Sequence, residues 1–548
     1  MTTTTEAPPG FTHRQIMTIL SGLLLGMLLA ALDQTIVSTA IRTIADDLDG
    51  YSMQAWVTTA YLITSTLSTP LYGKLSDMYG RKPFYLAAIS IFVVGSLLCT
   101  VATSMYMLAG FRALQGLGAG GLMSLALTII GDIVAPRERA KYQGYFLAVF
   151  GTSSVIGPVV GGLFAGLDEL AGISGWRWVF LVNVPIGIVA LVVVFRVLNL
   201  PNRRRATHRV DWGGVAALTV GLVPLLVVAE QGREWGWGSG RSVACYLIGT
   251  VGVLAFVAVQ AKMRNAALIP LRMFGNSTFA VGVVISVVVG AAMFGGISLV
   301  PQYLQVVRGA SPTVAGLQML PLVLGLMLGS VLAGRMIART GHYRVFPIIG
   351  AISLTIGLFL LHYLDVDTPL WLAMTYLLIT GFGLGNLVQP LTVAVQNALP
   401  PQDMGVSTAA ATFFRQIGGT MGVAVFLSVL FAALTPNIGA ELRAATADPA
   451  YQQAIVAGLH SANPADRELA TGLANHDVSA AGKVLADSSI IQQLSPELAR
   501  PFKEGFADSM STVFLTVTGI ALVALVLVLF WKEVPLRATS GIAARSGD

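Results

Sequence analysis

The chain has 548 residues, 55% of them hydrophobic and only 11% charged, with a mean hydropathy of +0.75. Soluble domains carry about 25% charged residues, so a soluble globular protein is excluded. The net charge of +6 does not point to nucleic acid, because the basic residues fall in short loops between apolar runs, and two cysteines, Cys99 and Cys245, exclude a disulfide framework or a cysteine metal site.

A membrane helix needs about 20 mainly apolar residues. Fourteen such runs follow one another: 16–38, 53–73, 83–103, 106–130, 142–166, 178–198, 211–230, 243–261, 278–303, 312–334, 345–363, 369–391, 407–434 and 511–531. The first is too long for a cleaved signal peptide and continues into Leu32-Asp33-Gln34-Thr35 with no small-residue cleavage site. Asp33 lies within it, and a carboxylate at membrane depth is expected to face a watery cavity or a partner. In the second run Thr58, Tyr61, Ser65 and Ser68 recur at helical spacing, and Gly73-Lys-Leu-Ser-Asp77-Met-Tyr-Gly80-Arg81-Lys82 follows it.

The fourth run holds Arg112 and, one turn on, Gln115, then Gly116-Leu-Gly118-Ala-Gly120-Gly121. The glycine spacing formally matches a dinucleotide fingerprint, but no strand precedes it; small residues that let helices approach explain it better. Asp132, Arg137, Glu138 and Arg139 sit at the edge of the fourth and fifth runs. Gly157-Pro158 interrupts the fifth, where proline removes a backbone bond and bends the helix, with Gly151, Gly161 and Gly162 on either side. Glu230 ends the seventh run within reach of water. Asn386 and Gln389, with Gln396 and Asn397 beyond them, are the amides of the twelfth, and Arg415 is the intramembrane charge of the thirteenth. A polar, Ala-rich stretch, 435–510, separates the last two runs and is expected to form a partly helical cap or a docking surface for a partner in the cell envelope.

An even number of crossings puts both ends on one side. The loops on that side carry 21 basic residues, the short loops opposite only five: Arg42, Arg177, Arg233, Arg241 and Arg308. By the positive-inside rule both termini are expected in the cytoplasm and 435–510 outside.

The chain also repeats itself. Gly73–Lys82 is echoed by Gly334–Tyr343, and Gly116–Gly120 by Gly381–Gly385. Runs one to six and nine to fourteen therefore read as two copies of a six-helix unit, with runs seven and eight as a spacer. The copies differ: Asp77 corresponds to Ala338, Arg112 to Leu377 and Pro158 to Val423, which assigns the coupling chemistry to the first half. The expected organisation is a tail 1–15, an N-terminal bundle 16–200, a spacer 201–275, five helices over 276–434, the external loop 435–510, a last helix 511–531 and a tail 532–548.

These motifs, in this order, resemble the major facilitator superfamily, in particular its fourteen-helix drug:proton antiporters of the EmrB/QacA type. Asp33-Gln34-Thr35 resembles the first-helix signature, Gly73–Lys82 the loop motif, Arg112–Gly120 the fourth-helix motif, and Gly151–Gly162 the fifth-helix motif that marks antiporters. Trp176–Pro185 and Arg415-Gln-Ile-Gly418-Gly419 are also typical of that branch. The resemblance implies an all-α integral membrane protein with the major facilitator fold, two six-helix bundles plus two spacer helices. It implies that Asp33 and Arg112 act in proton coupling and substrate binding. Thr58, Tyr61, Ser65, Gln115, Asn386, Gln389 and Arg415 become candidates to line the cavity. Gly73, Asp77, Gly80, Arg81, Lys82, Asp132 and Arg139, with Gly157, Pro158 and Gly161, become candidates for the conformational switch.

The function expected is export of lipophilic, often cationic compounds against inward proton flow across the cell membrane, with no cofactor beyond the proton gradient. The partners are those small substrates, protons and membrane lipids. Export or flipping of a lipid or another cell-made amphiphile through the same cavity is the alternative. An ATP-driven pump would need a Gly-x4-Gly-Lys-Ser/Thr loop, which the chain lacks. A membrane-embedded enzyme is disfavoured because His13, His208, His342, His362, His460 and His476 are scattered, none paired at ligand spacing.

Overall fold

The computed structural model describes residues 12–48, 53–199, 210–475, 484 and 488–537, and these are almost entirely helical. Arg203, Arg204, Arg205, Arg209 and Arg545 of the basic loops, with His208 and His476, lie outside the described residues. In chain order the helices are α1 His13–Asp47, α2 Gln54–Tyr79, α3 Arg81–Thr100, α4 Met105–Ile133, α5 Pro136–Ala165, α6 Trp178–Leu181, α7 Asn183–Val197, α8 Trp212–Trp235 and α9 Gly240–Met263. They continue with α10 Ser277–Gln302, α11 Pro312–Gln318, α12 Leu320–Thr340, α13 Val345–Leu361, α14 Leu370–Ala398, α15 Met404–Ala447, α16 Pro449–Leu459, α17 Pro464–Ala474 and α18 Pro496–Phe530.

The fourteen apolar runs fall on helices, the sixth divided between α6 and α7 and the tenth between α11 and α12. Side chains that accept a free amide start many of them, Thr12 for α1, Ser104 for α4, Asp211 for α8, Ser239 for α9 and Asn276 for α10. Gly80 and Gly341, both at positive φ, end α2 and α12. Among the described residues twelve helices are long and apolar enough to cross a membrane. The remaining two of the fourteen fall short for different reasons: α2 has 26 residues but is rich in hydroxyls, and α13 is apolar but has 17 residues.

The packing repeats as the sequence does. In the first half α2 and α3 pack on α4, and α1 on α5; in the second, α12 and α13 pack on α14, and α10 on α15. Two apolar cores, one around Leu20, Phe92 and Leu122 and one around Ile36, Trp176 and Phe180, belong wholly to the first half. The halves meet where α5 runs along α12 and α2 along α15. Helix α9 packs on α8, where Gly221 and Gly252 let the backbones touch, and α8 in turn rests on α2 and α15.

The apolar run that the sequence ends at 434 does not end the helix. Helix α15 continues to Ala447, because Ala, Glu, Leu and Arg sustain a helix in water as well as in lipid. Likewise α18 begins at Pro496. Between them Tyr451 of α16 and Leu469 of α17 join Leu498 and Phe502 of α18 in one core with Phe426 and Leu430 of α15, so the described part of the 435–510 stretch is a helical cap. The cap marks the loop face; the opposite one, where α1 begins and α18 ends, is the tail face.

Candidate functional site

Asp33 of α1, Arg112 and Gln115 of α4 and Asn183 of α7 are all sealed from solvent. Arg112 Nη1 donates to Asp33 Oδ2 at 2.5 Å, while Gln115 Nε2 and Asn183 Nδ2 both donate to Asp33 Oδ1 at 2.8 Å. Arg112 Nη1 also donates to Gln115 Oε1 at 2.6 Å, and Gln115 Nε2 to Ser96 Oγ of α3 at 2.7 Å. The guanidinium lies over the ring of Tyr61, 4.1 Å from its centroid. Arg112 and Gln115 share a face of α4 because they are three residues apart. Glycines bring the neighbouring helices close: a Cβ on Gly116 would stand 2.3 Å from Tyr61 O, and one on Gly118 2.6 Å from Ala88 O. Arg112 is seven residues, about 10 Å, from the loop-face start of α4.

The carboxylate thus faces a partner and not water. Gln115 and Tyr61, expected on a cavity wall, belong to this enclosed cluster, and Ser65 is buried against α4 beside Gly120. The reason is the third dimension of the bundle: the polar stripe of α2 points at α4. Thr58 keeps a partly exposed position. The sequence assigns no role to Ser96 or to Asn183, although Asn183 lies in the Trp176–Pro185 motif; each is a polar residue inside an apolar stretch.

At the tail face a second polar group joins the halves. Arg81 donates to Asp132 at 2.7 Å, to Asp77 at 2.5 Å and to Ser76 Oγ at 2.6 Å. Asp77 in turn accepts from the backbone amides of Gly405 at 3.2 Å and Val406 at 2.9 Å, so a carboxylate of the first half caps the start of α15 in the second. Gly73 allows this crossing, since a Cβ there would lie 2.4 Å from that of Ala409. Arg139 reaches Gln396 Oε1 at 3.2 Å, and Arg137 donates to the carbonyls of Ala338, at 2.7 Å, and Arg339 at the end of α12. The sequence places Arg137 among the charges at the edge of the fourth and fifth runs, as a latch residue and as a topology signal. Lys82 ties α3 to α7 within one half, through Phe195 O at 2.6 Å and Asn199 Oδ1 at 2.9 Å. The spacer reaches the same region, with Arg272 on Asp403 at 2.9 Å.

Helix α5 touches both halves. Gly151 faces Val323 of α12, whereas Gly157 and Gly161 face Thr35 and Ile36 of α1, and Gly162 faces open space. The Pro158 ring sits opposite Gly316 of α11. Thr35, two residues beyond Asp33, donates to Ser153 O at 3.0 Å, beside the turn in which Pro158 supplies no backbone donor.

In the second half Asn386 and Gln389 are buried on α14, Asn386 against Gly329 of α12. Arg415 of α15 reaches Thr392 Oγ1 at 3.5 Å, and the next residue, Gln416, accepts from Thr69 of α2 at 3.4 Å. On the flank, Glu230 of α8 is exposed.

The family model of the Major Facilitator Superfamily matches residues 23–423. The chain belongs to the Major Facilitator Superfamily. As a member it is a multi-pass membrane transporter of small molecules and not an enzyme. It is 34% identical over 523 residues to the multidrug transporter protein MdtP of Bacillus subtilis, covering 94% of this chain and 93% of that one. Multidrug resistance protein 3 of the same organism is 37% identical over 415 residues, 75% of this chain and 79% of that one. An uncharacterized MFS-type transporter of Mycobacterium tuberculosis is 35% identical over 532 residues, covering 97% of this chain and 71% of that one. The solved structure of the MFS proton:xylose symporter XylE bound to 6-bromo-6-deoxy-D-glucose superposes with a TM-score of 0.57 at 16% identity, over 98% of this chain and 99% of that one. That likeness establishes the superfamily fold.

Proposed function

We propose that this transporter is a proton-coupled antiporter that exports lipophilic compounds by alternating access. It would cross the cell membrane fourteen times, α2 and α13 completing the twelve, as in the EmrB/QacA branch. Both tails then face the cytoplasm and the cap faces outward, where a cell-envelope partner would meet it. The reading needs no cofactor, only the proton gradient, which supplies about 2.3 kcal/mol per proton for each 100 mV.

The observation that carries it is the enclosed Asp33–Arg112 pair. Arginine keeps its charge, so the group able to change protonation there is the carboxylate. Protonating Asp33 removes the ion pair and leaves Arg112 a buried cation with Gln115 and Tyr61 alone, an imbalance worth several kcal/mol. Thr35 lies half a turn from Asp33 and is bonded to α5 beside Pro158, which offers a route from the proton site to the helix that runs between the halves. The Asp77, Arg137 and Arg139 contacts hold the tail face closed, so opening it means breaking them, as a two-state switch requires. The carboxylate is held by three donors inside one bundle, so its role in this scheme is to carry the proton, and drawing in a cationic substrate is no longer asked of it.

The test is substrate-driven proton release from the purified protein, read with a pH dye, together with uphill transport in proteoliposomes under an imposed pH gradient. Asp33→Asn should abolish both, and Arg112→Lys should uncouple them. Proton release that survives Asp33→Asn would place the proton site elsewhere.

A further inference from the structure

Six arginines enter the polar interior or the gate among the described residues: Arg81 is answered by Asp77 and Asp132, Arg112 by Asp33 and Arg272 by Asp403, while Arg137 and Arg139 donate to carbonyl and amide oxygens. Arg415 differs. It stands 11 residues along α15 from Met404, about 16 Å, near the middle of a hydrocarbon layer about 30 Å thick. Among the described residues its hydrogen-bond contact is the long one to Thr392, and no charged group acts on it. One turn earlier the hydroxyl of Thr412 is buried without a partner. Protein encloses Arg415, yet part of its surface remains accessible. The link from Gln416 to Thr69 shows that this stretch of α15 faces the other half.

We infer that Arg415, with Thr392 and Thr412, binds the anionic group of an amphiphilic substrate: a carboxylate, sulfonate or phosphate on an apolar body. A permanent cation at mid-depth costs several kcal/mol unless a counter-charge or water attends it, and an anionic occupant supplies that charge. The planar guanidinium presents paired donors matched to such oxygens, and the unmatched threonine hydroxyl adds a third donor. Asp33 does not compete for the same space, because Arg112 neutralises it inside the first bundle. This inference names the substrate class for the export reading above and rests on it.

The test uses three fluorescent probes with the same naphthalene body, dansyl sulfonate, neutral dansyl amide and a dansyl quaternary ammonium, titrated onto the purified full-length protein in zwitterionic nanodiscs with empty discs as blank. Binding at equilibrium needs no gradient, so a failure of proton coupling leaves this measurement standing. The sulfonate should bind tightest to the parent. Arg415→Gln should weaken it at least about tenfold, as expected for loss of a charge-assisted hydrogen bond, with the amide changed less than about twofold; Arg415→Lys should fall between. Sulfonate binding unchanged in Arg415→Gln, or a parent that prefers the quaternary ammonium, overturns the inference. The second criterion uses the parent alone and decides the matter even if Arg415→Gln does not fold. Displacement of the sulfonate by a short-chain phosphatidylglycerol would identify the anion as a lipid head group, and its absence would identify a free compound.

Discussion

Asp77 gives the most direct handle on the gate. Its carboxylate accepts from Arg81 at 2.5 Å and from the first amides of α15 at 3.2 and 2.9 Å, and its side chain is 8% exposed. Asp77→Asn keeps the size but removes the charge and turns an NH2 group toward donors. A charge at a partly buried helix N-terminus contributes up to about 2 kcal/mol, and a hydrogen bond to a charged group about 1.5–3 kcal/mol. Arg81 keeps Asp132, so part of this is retained, and about 2 kcal/mol is the reasonable loss to the closed tail face. At about 1.4 kcal/mol per tenfold, the open population should rise roughly 30-fold. Amide hydrogen exchange by mass spectrometry reads it where it happens: the peptide containing Gly405 and Val406 should exchange faster by that order. The carbonyls of Ala338 and Arg339 are held by Arg137 on the same face, so peptides at the end of α12 should follow. Faster exchange at 405–406 alone would reduce Asp77 to a local cap. Unchanged exchange at both places would refute the latch.

Pro158→Ala should leave expression near normal but slow the exchange between open states, seen as efflux reduced severalfold in proteoliposomes; parental efflux would remove α5 from the switch. Gly120→Val should disrupt α2–α4 packing, because a Cβ there meets Ser65 O and Ser68 Oγ at 2.2 Å; overpacking of about 3 kcal/mol should lower Tm by 5 °C or more, while Gly162→Ala, in open space, should not move it. Val456→Cys on α16, 59% exposed, should react in whole cells with an impermeant maleimide once Cys99 and Cys245 are replaced by serine; reaction only after permeabilisation would reverse the topology.

Much of the transporter was legible before any coordinate. Helix positions follow from runs of apolar residues, a local property, and the twofold repeat follows from glycine and charge motifs at constant offset. Asp33, Arg112 and Arg415 stand out because a charge in lipid is costly wherever the helix ends up. What the sequence could not disclose is which faces meet. Asp33 lies 79 residues from Arg112 and 150 from Asn183, and only the packing of α1, α3, α4 and α7 decides that these polar groups, with Gln115 and Ser96, meet out of water. The same holds for the gate, where Asp77 finds the start of α15 328 residues away, and for Tyr61, Ser65 and Gln115, whose polarity suggested a cavity wall. Hydropathy records the depth of a residue in the membrane, while the direction in which it faces depends on neighbouring helices distant in sequence. That direction separates the sealed, paired Asp33 from Arg415, which has no counter-charge among the described residues.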